Sequence, residues 1–188
     1  PMATAPLRPA DSCLVTDGGG AVVVTTLDRA RKLRKAPVQV LGHADTSTHD
    51  AMASAPDLLH HGSAETGRRA MEMASVGCED IDSLQIYDAF TINVLVGLEN
   101  LGFCRPGEAA AFVRAGHTAP GGSLPTNTQG GGLSYCHPGM FGIFPLIEAV
   151  RQLRNECGAR QVPDVRTVMC HATGGIFGAH STVILGAR

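Results

Sequence analysis

Three glycines in a row, Gly130, Gly131 and Gly132, are followed by Tyr135-Cys136-His137-Pro138-Gly139 and then by an apolar, helix-compatible run to Leu153. No other stretch constrains the chain more. Consecutive glycines have no Cβ, so the backbone there can turn through positive φ and pass close to a side chain or a ligand. Pro138 suits the first turn of a helix, where its missing N–H costs nothing. That reading places Tyr135, Cys136 and His137 at a helix entrance, beside N–H groups with no intrahelical partner. A histidine held there stays neutral and can donate to a carbonyl oxygen. The alternative from spacing alone is a tight Gly/Pro turn with a packed histidine.

The rest of the chain alternates strand and helix signals. Ala21–Thr26 (AVVVTT) is β-branched on consecutive positions and reads as a strand buried on both faces. Further strands are expected at 38–41, 83–88, 165–170 and 181–185. Helices are expected at 28–35, 63–76 (capped by Ser63), 89–101, 107–114 and 140–155, the last being the longest. Phe90, Val94, Leu95, Leu98 and Leu101 would face inward, and Gly102 would end that helix. Residues 1–12 read as irregular, 42–63 as a long surface excursion and 119–130 as a loop. Strands alternating with helices indicate α/β layers. The last two strands are joined by the Gly-rich turn HATGGIFGAH, so they should be antiparallel neighbours.

With 188 residues, 44% hydrophobic and 17% charged, the chain has the composition of an ordered domain with a buried core. A net charge of -2 gives no electrostatic argument for nucleic acid or an anionic membrane. The six cysteines contain no Cys-x-x-Cys pair and read as reduced thiols in a cytoplasmic protein. His43, His49, His60 and His61 fit no metal-ligand spacing. No apolar run has membrane-spanning length, and no signal peptide is visible. The Pro-Met start suggests a fragment boundary.

Three candidate loops fall at strand ends: Tyr87-Asp88-Ala89-Phe90, the 135–139 turn and His171–Gly178. Residues just past strand ends gather at one sheet edge, where ligands bind. These loops hold both tyrosines of the chain, Tyr87 and Tyr135. A phenol can move a proton when its pKa of about 10 is assisted. The alternatives are a packing role for Tyr87 at the strand end and a helix-entrance hydrogen bond for Tyr135.

The ordered set DGGGAVVV, IYDAF, NTQGGGLSYCHPG and HATGGIFGAH resembles the C-terminal half of the thiolase superfamily, closest to the sterol-carrier-protein-x or non-specific lipid-transfer type. The resemblance implies an α/β fold: a thiolase-like C-terminal domain with a mixed five-stranded sheet flanked by helices. Residues 1–33 would then end the preceding domain and 34–188 would form the C-terminal one. It also implies an acyl-CoA thioester as substrate with no bound cofactor, a homodimer, and in one branch an OB-fold partner protein.

Matched singly, His137 falls on the histidine of the family's Gly-His-Pro motif, which belongs to the oxyanion hole. Tyr87 falls on the Asn of Asn-Glu-Ala-Phe. Ala89 stands where lipid-transfer-type thiolases carry an acid/base cysteine, and Ala172 where ordinary thiolases carry theirs in Cys-x-Gly, with Cys170 and His171 close by. The family's nucleophilic cysteine would lie upstream of Pro1. A Claisen-type thiolase needs such a base. The related aldolase branch instead cleaves β-hydroxyacyl-CoA by retro-aldol chemistry with tyrosines. Candidate catalytic residues are therefore His137, Tyr87, Tyr135 and His171. Candidate substrate contacts are Asp88, Gly131, Gly132, Cys136, Gly174 and Gly175. The expected activity is retro-aldol cleavage of a β-hydroxyacyl-CoA. The alternatives are an acetyl-CoA acetyltransferase using Cys170 or Cys136 as a displaced base, and a non-catalytic half that binds CoA or a partner.

Overall fold

The computed structural model describes residues 5–187. The first four residues of the stretch expected to be irregular, and Arg188 at the other end, lie outside that range. The elements in chain order are α1 (Leu27–Ala30), β1 (Gln39–Ser47), α2 (Ser63–Ala74), β2 (Ser83–Ile86), α3 (Thr91–Asn100), α4 (Ala109–Arg114), α5 (Gly131–Ser134), α6 (Ile143–Leu153), β3 (Thr167–Gly174) and β4 (Ala179–Gly186). The strands form one mixed sheet of order β1-β4-β3-β2. β4 runs antiparallel to both β1 and β3, while β2 and β3 are parallel.

Alternation along each strand divides the sheet into two faces. Leu84, Ile86, Met169 and Ile184 share a core with Ala70 and Ala74 of α2 and with Leu98 of α3. Val168, Cys170 and Leu185 point the other way, into a core with Ala149 and Leu153 of α6. β1 and α2 approach closely because position 42 is glycine: a Cβ there would overlap the Ala70 carbonyl oxygen.

Four strands stand where five were expected. Ala21–Thr26 carries no strand. Val23 and Val24 are 90% and 83% exposed. The segment leading into it lies on α6: a Cβ at Gly18 would touch Phe144 and Pro138, and one at Gly20 would strike Ile147. Its β propensity therefore finds no strand to pair with among the described residues.

Other boundaries also shift. β1 continues to Ser47, so the expected excursion begins later. The basic helix shrinks to the single turn α1. The 12-residue α2, not the 11-residue α6, is the longest helix. Gly62 rather than Ser63 is the N-cap of α2; the Ser63 hydroxyl instead pairs with His61 Nδ1 at 2.7 Å. Phe90 is exposed rather than inward. Within the expected loop, Pro125 and Asn127 hydrogen-bond along the free edge of β2.

Candidate active site

β1, β2 and β3 all end at the same edge of the sheet, since β1 and β3 are each antiparallel to β4 and β2 is parallel to β3. Tyr87 leaves β2 at that edge, with its N–H donating to the His171 carbonyl at 2.9 Å. Its hydroxyl lies 2.9 Å from His137 Nε2, and the two rings meet edge to face with centroids 5.2 Å apart. Phe141 is fully buried and packs against both rings, at 5.9 Å from Tyr87 and 5.7 Å from His137. Burial is the first cause holding the Tyr87 phenol above its ordinary pKa; negative charge on the nearby Cys13 sulfur and Asp88 carboxylate pushes the same way.

The glycine stretch is arranged by Asp88. Its side chain is 2% exposed, and its Oδ1 accepts from Gly132 N–H at 2.6 Å. Gly131 has φ +64°, and a Cβ on it would overlap the Asp88 carboxylate. Burial raises the Asp88 pKa, and the loop N–H groups oppose that rise. Asp88, expected as a substrate contact, is thus buried beneath the loop and anchors it. Asn127 supports the same arrangement: it accepts from Ile86 N–H at 2.7 Å and donates to Ile86 O at 2.9 Å.

His137 does not sit at a helix entrance. α5 ends at Ser134 and α6 begins at Ile143, so Pro138 lies in the intervening loop. The backbone of His137 is held from elsewhere: its N–H donates to Thr16 Oγ1 at 2.9 Å. Tyr135 is 55% exposed, with its ring edge-on to Phe144 at 6.3 Å. Phe144 stacks on Phe141, so Tyr135 is two rings removed from the Tyr87–His137 pair. Cys136 is buried. Gly131 and Gly132 are buried under the loop, whereas Gly174 and Gly175 are exposed at the β3–β4 turn.

His171 does not join Tyr87 and His137. It pairs in register with Ile86, so its side chain leaves by the α2 face. There Thr182 Oγ1 donates to Thr66 Oγ1 at 2.9 Å, which leaves it to accept from His171 Nδ1–H at 2.8 Å. His171 stacks on His180 at 5.8 Å, and His180 on His61 at 4.7 Å. His171 Nε2, His180 Nδ1 and His61 Nε2 are buried without a hydrogen-bond partner. Burial, with the neighbouring histidines adding to it, holds His171 down at about 3 and His61 at about 4, and burial lowers His180 as well. His171, expected as a catalytic residue, thus lies on the face of the sheet opposite the Tyr87 side chain.

The stack instead supports the β3–β4 tip. Gly175, Ile176 and Phe177 have φ values of 55°, 54° and 62°, a region that a β-branched residue rarely enters. His180 Nε2–H donates to the Phe177 carbonyl at 2.7 Å, and the His61 ring stacks on Phe177 at 4.9 Å.

Cys170 lies under α6 with its thiol 3.5 Å from the Pro145 carbonyl, and burial pushes its pKa far up. It cannot present a thiolate at the site. Ala172 does share the Tyr87 face: a Cβ at Gly142 of the loop before α6 would sit 3.2 Å from the Ala172 methyl. The residues missed from the sequence are Cys13, Thr16 and Phe141. Cys13 and Thr16 were hidden because they lie between the expected irregular start, 1–12, and the expected strand at 21–26, where the sequence carries no pattern.

The family described as "Thiolase C-terminal domain-like" matches residues 44–187. The chain is 35% identical over 188 residues to the benzoylsuccinyl-CoA thiolase subunit BbsB of Thauera aromatica, covering 96% of this chain and 48% of that protein. It is 39% identical over 189 residues to a steroid side-chain-cleaving aldolase of Thermomonospora curvata, covering 97% of this chain and 46% of that one. Among solved structures, an Ltp2-ChsH2(DUF35) aldolase superposes with a TM-score of 0.90 at 34% identity, over 100% of this chain and 49% of the other. The chain thus spans about half the length of the curated relatives it matches.

Proposed function

Because the chain belongs to the thiolase C-terminal domain-like family, we propose that it is the C-terminal half of an enzyme that cleaves the C–C bond of a β-hydroxyacyl-CoA by a retro-aldol reaction. The observation that carries this reading is the Tyr87 hydroxyl 2.9 Å from His137 Nε2, with alanine at both positions where acyl-transferring relatives would carry a cysteine base, Ala89 and Ala172. The likeness to the steroid side-chain-cleaving aldolase supports it.

In this mechanism Tyr87 takes the proton of the substrate β-hydroxyl. The O–H electrons form the carbonyl of the released ketone or aldehyde, the Cα–Cβ bond breaks, and its electrons pass into the thioester as an enolate. Protonation of the enolate at Cα gives the shortened acyl-CoA. His137 stabilises the enolate oxygen and shares a hydrogen bond with Tyr87. A raised phenol pKa disfavours a resting phenolate, so as Tyr87 takes the substrate proton it passes its own to His137 Nε2; the imidazolium charge then stabilises the enolate, and that proton is the one returned to the enolate at Cα. Asp88 and the glycines hold the loop that carries His137. Tyr135 stands at the exposed margin. Residues up to about 33 pack with the preceding half of the protein, and the enzyme works as a dimer in the cytoplasm with an OB-fold partner.

The full-length protein with its partner, supplied with a β-hydroxyacyl-CoA, should release acetyl-CoA or propionyl-CoA. Tyr87→Phe should lower kcat by about 10²–10⁴-fold without loss of folding, and Tyr135→Phe should do far less. Wild-type rates in Tyr87→Phe would exclude this mechanism. Acyl transfer is the poorer reading because neither cysteine proposed as a displaced base is poised for it: Cys170 is buried under α6 and Cys136 is buried too, and burial raises the pKa of both thiols.

A further inference from the structure

The loop that carries His137 has no helix to fix it. Between Ser134 and Ile143 its backbone makes few bonds of its own, chiefly Tyr135 N–H and Cys136 N–H to the Gly131 carbonyl at 3.0 and 3.4 Å, and Met140 N–H to the Pro138 carbonyl. The loop is tied down by a distant stretch of chain. Cys13 N–H donates to the Ala89 carbonyl at 2.8 Å, Leu14 N–H donates to the Gly132 carbonyl at 3.1 Å, and Thr16 Oγ1 accepts from His137 N–H at 2.9 Å. Val15 also forms a parallel bridge to His137. Residues 13–16 therefore cross both loops of the site and bond to each. Thr91 Oγ1, at the start of α3, adds a bond to Asp11 at 3.1 Å.

The exposure of this strap follows its task. Val15 is 97% exposed, while Cys13 and Thr16 on either side are partly buried against the site. Packing does not require Val15, and hydrophobic burial does not hold the strap. Hydrogen bonds do: those of Cys13 and Leu14 come from the backbone, and the one from His137 ends on a side chain.

We infer that Thr16 is a positioning residue for His137: its hydroxyl fixes the backbone at 137 and so sets the imidazole against the Tyr87 hydroxyl. This deepens the retro-aldol reading and rests on it for its kinetic consequence, but the positioning itself can be measured without turnover. Removing the hydroxyl takes away the side-chain acceptor of the His137 N–H and loosens the backbone at 137, while the Leu14–Gly132 bond and the Val15 bridge still hold the strap to the loop. A displacement of about 1 Å at a reacting group can cost on the order of 10²-fold.

The test uses the full-length protein with histidine labelled with ¹⁵N, the His137 signals being assigned by their absence in His137→Gln. Thr16→Val keeps the β-branched shape and deletes the hydroxyl; Thr16→Ser keeps the hydroxyl. In Thr16→Val the Nε2 signal should move toward that of a free imidazole, and kcat should fall about 10-fold with KM changed less than about 2-fold. Thr16→Ser should restore both. Unchanged His137 signals in Thr16→Val would overturn the inference, even if the melting temperature fell, because the threonine would then be merely structural. Equal losses in Thr16→Ser and Thr16→Val would also overturn it. If Thr16→Val does not fold, Thr16→Ala supplies the same comparison. If the wild type releases no shortened acyl-CoA, the retro-aldol reading fails, and the imidazole signals alone decide for or against Thr16.

Discussion

The histidine stack on the α2 face makes the fold acid-sensitive by an amount that can be worked out. His171 donates from Nδ1 to Thr182 and has no partner at Nε2, so a second proton would be buried without an acceptor. Burial holds it down at about 3, and His61 at about 4. In the unfolded chain both titrate near the ordinary value of about 6.5. The native state therefore binds fewer protons than the unfolded one between these limits, and stability must fall as pH falls. The contribution is complete above the unfolded value and is lost toward the native ones.

Between pH 7 and pH 5 each unfolded histidine takes up most of a proton while the native ones take up almost none. That costs about 2 kcal/mol for each, or about 4 kcal/mol for the pair. His180, lowered by burial, adds in the same direction. A native domain has on the order of 5–15 kcal/mol in all. Urea unfolding of the full-length protein at pH 7, 6 and 5 measures the loss. His171→Phe can still stack on His180 but cannot titrate, and it should shrink the loss by about 2 kcal/mol. A loss below about 1 kcal/mol in the wild type, or a loss undiminished in His171→Phe, would refute the reasoning.

Three further outcomes are expected. Gly131→Ala should unfold or strongly destabilise the protein in a thermal melt, since position 131 has φ +64° and a Cβ there would overlap the Asp88 carboxylate. Cys170→Ala should leave turnover within about 2-fold while lowering the melting temperature a few degrees, because the thiol packs under α6 and not at the site. The 188-residue chain alone should self-associate in sedimentation experiments, given the exposure of Val23, Val24 and Met140; a clean monomer at high concentration would count against it.

Much of the architecture could be read from the sequence because local and global signals agree there. The amphipathic α2, the alternating Ser83-Leu84-Gln85-Ile86 of β2 and the antiparallel β3–β4 pair each carry their own pattern. Ala21–Thr26 failed for a physical reason. A β-branched run specifies a strand only where an edge is available to pair with, and here the preceding Gly18 and Gly20 lie on α6 instead. Thr16 was invisible for the related reason that a strap bonded through isolated N–H groups has no periodicity.

The site divides along a similar line. Tyr87 and His137 meet because a strand end and a glycine loop share one sheet edge, which composition and spacing suffice to suggest. His171 was misplaced because the sequence reading ends its strand at Cys170, whereas β3 runs on to Gly174 and fixes the side that His171 takes. In the parallel pairing Ile86 stands opposite His171, so His171 takes the face of Ile86 while Tyr87 takes the other. Side chains alternate along a strand, and a shift of one residue would reverse every assignment. That shift would have put His171 beside His137 and buried Ala172 among the histidines. The pairing in the structure does the reverse: Ala172 faces the loop before α6 and His171 supports the β3–β4 tip. A vacant cysteine position on the reacting face and a neutral histidine behind it thus follow from the same register.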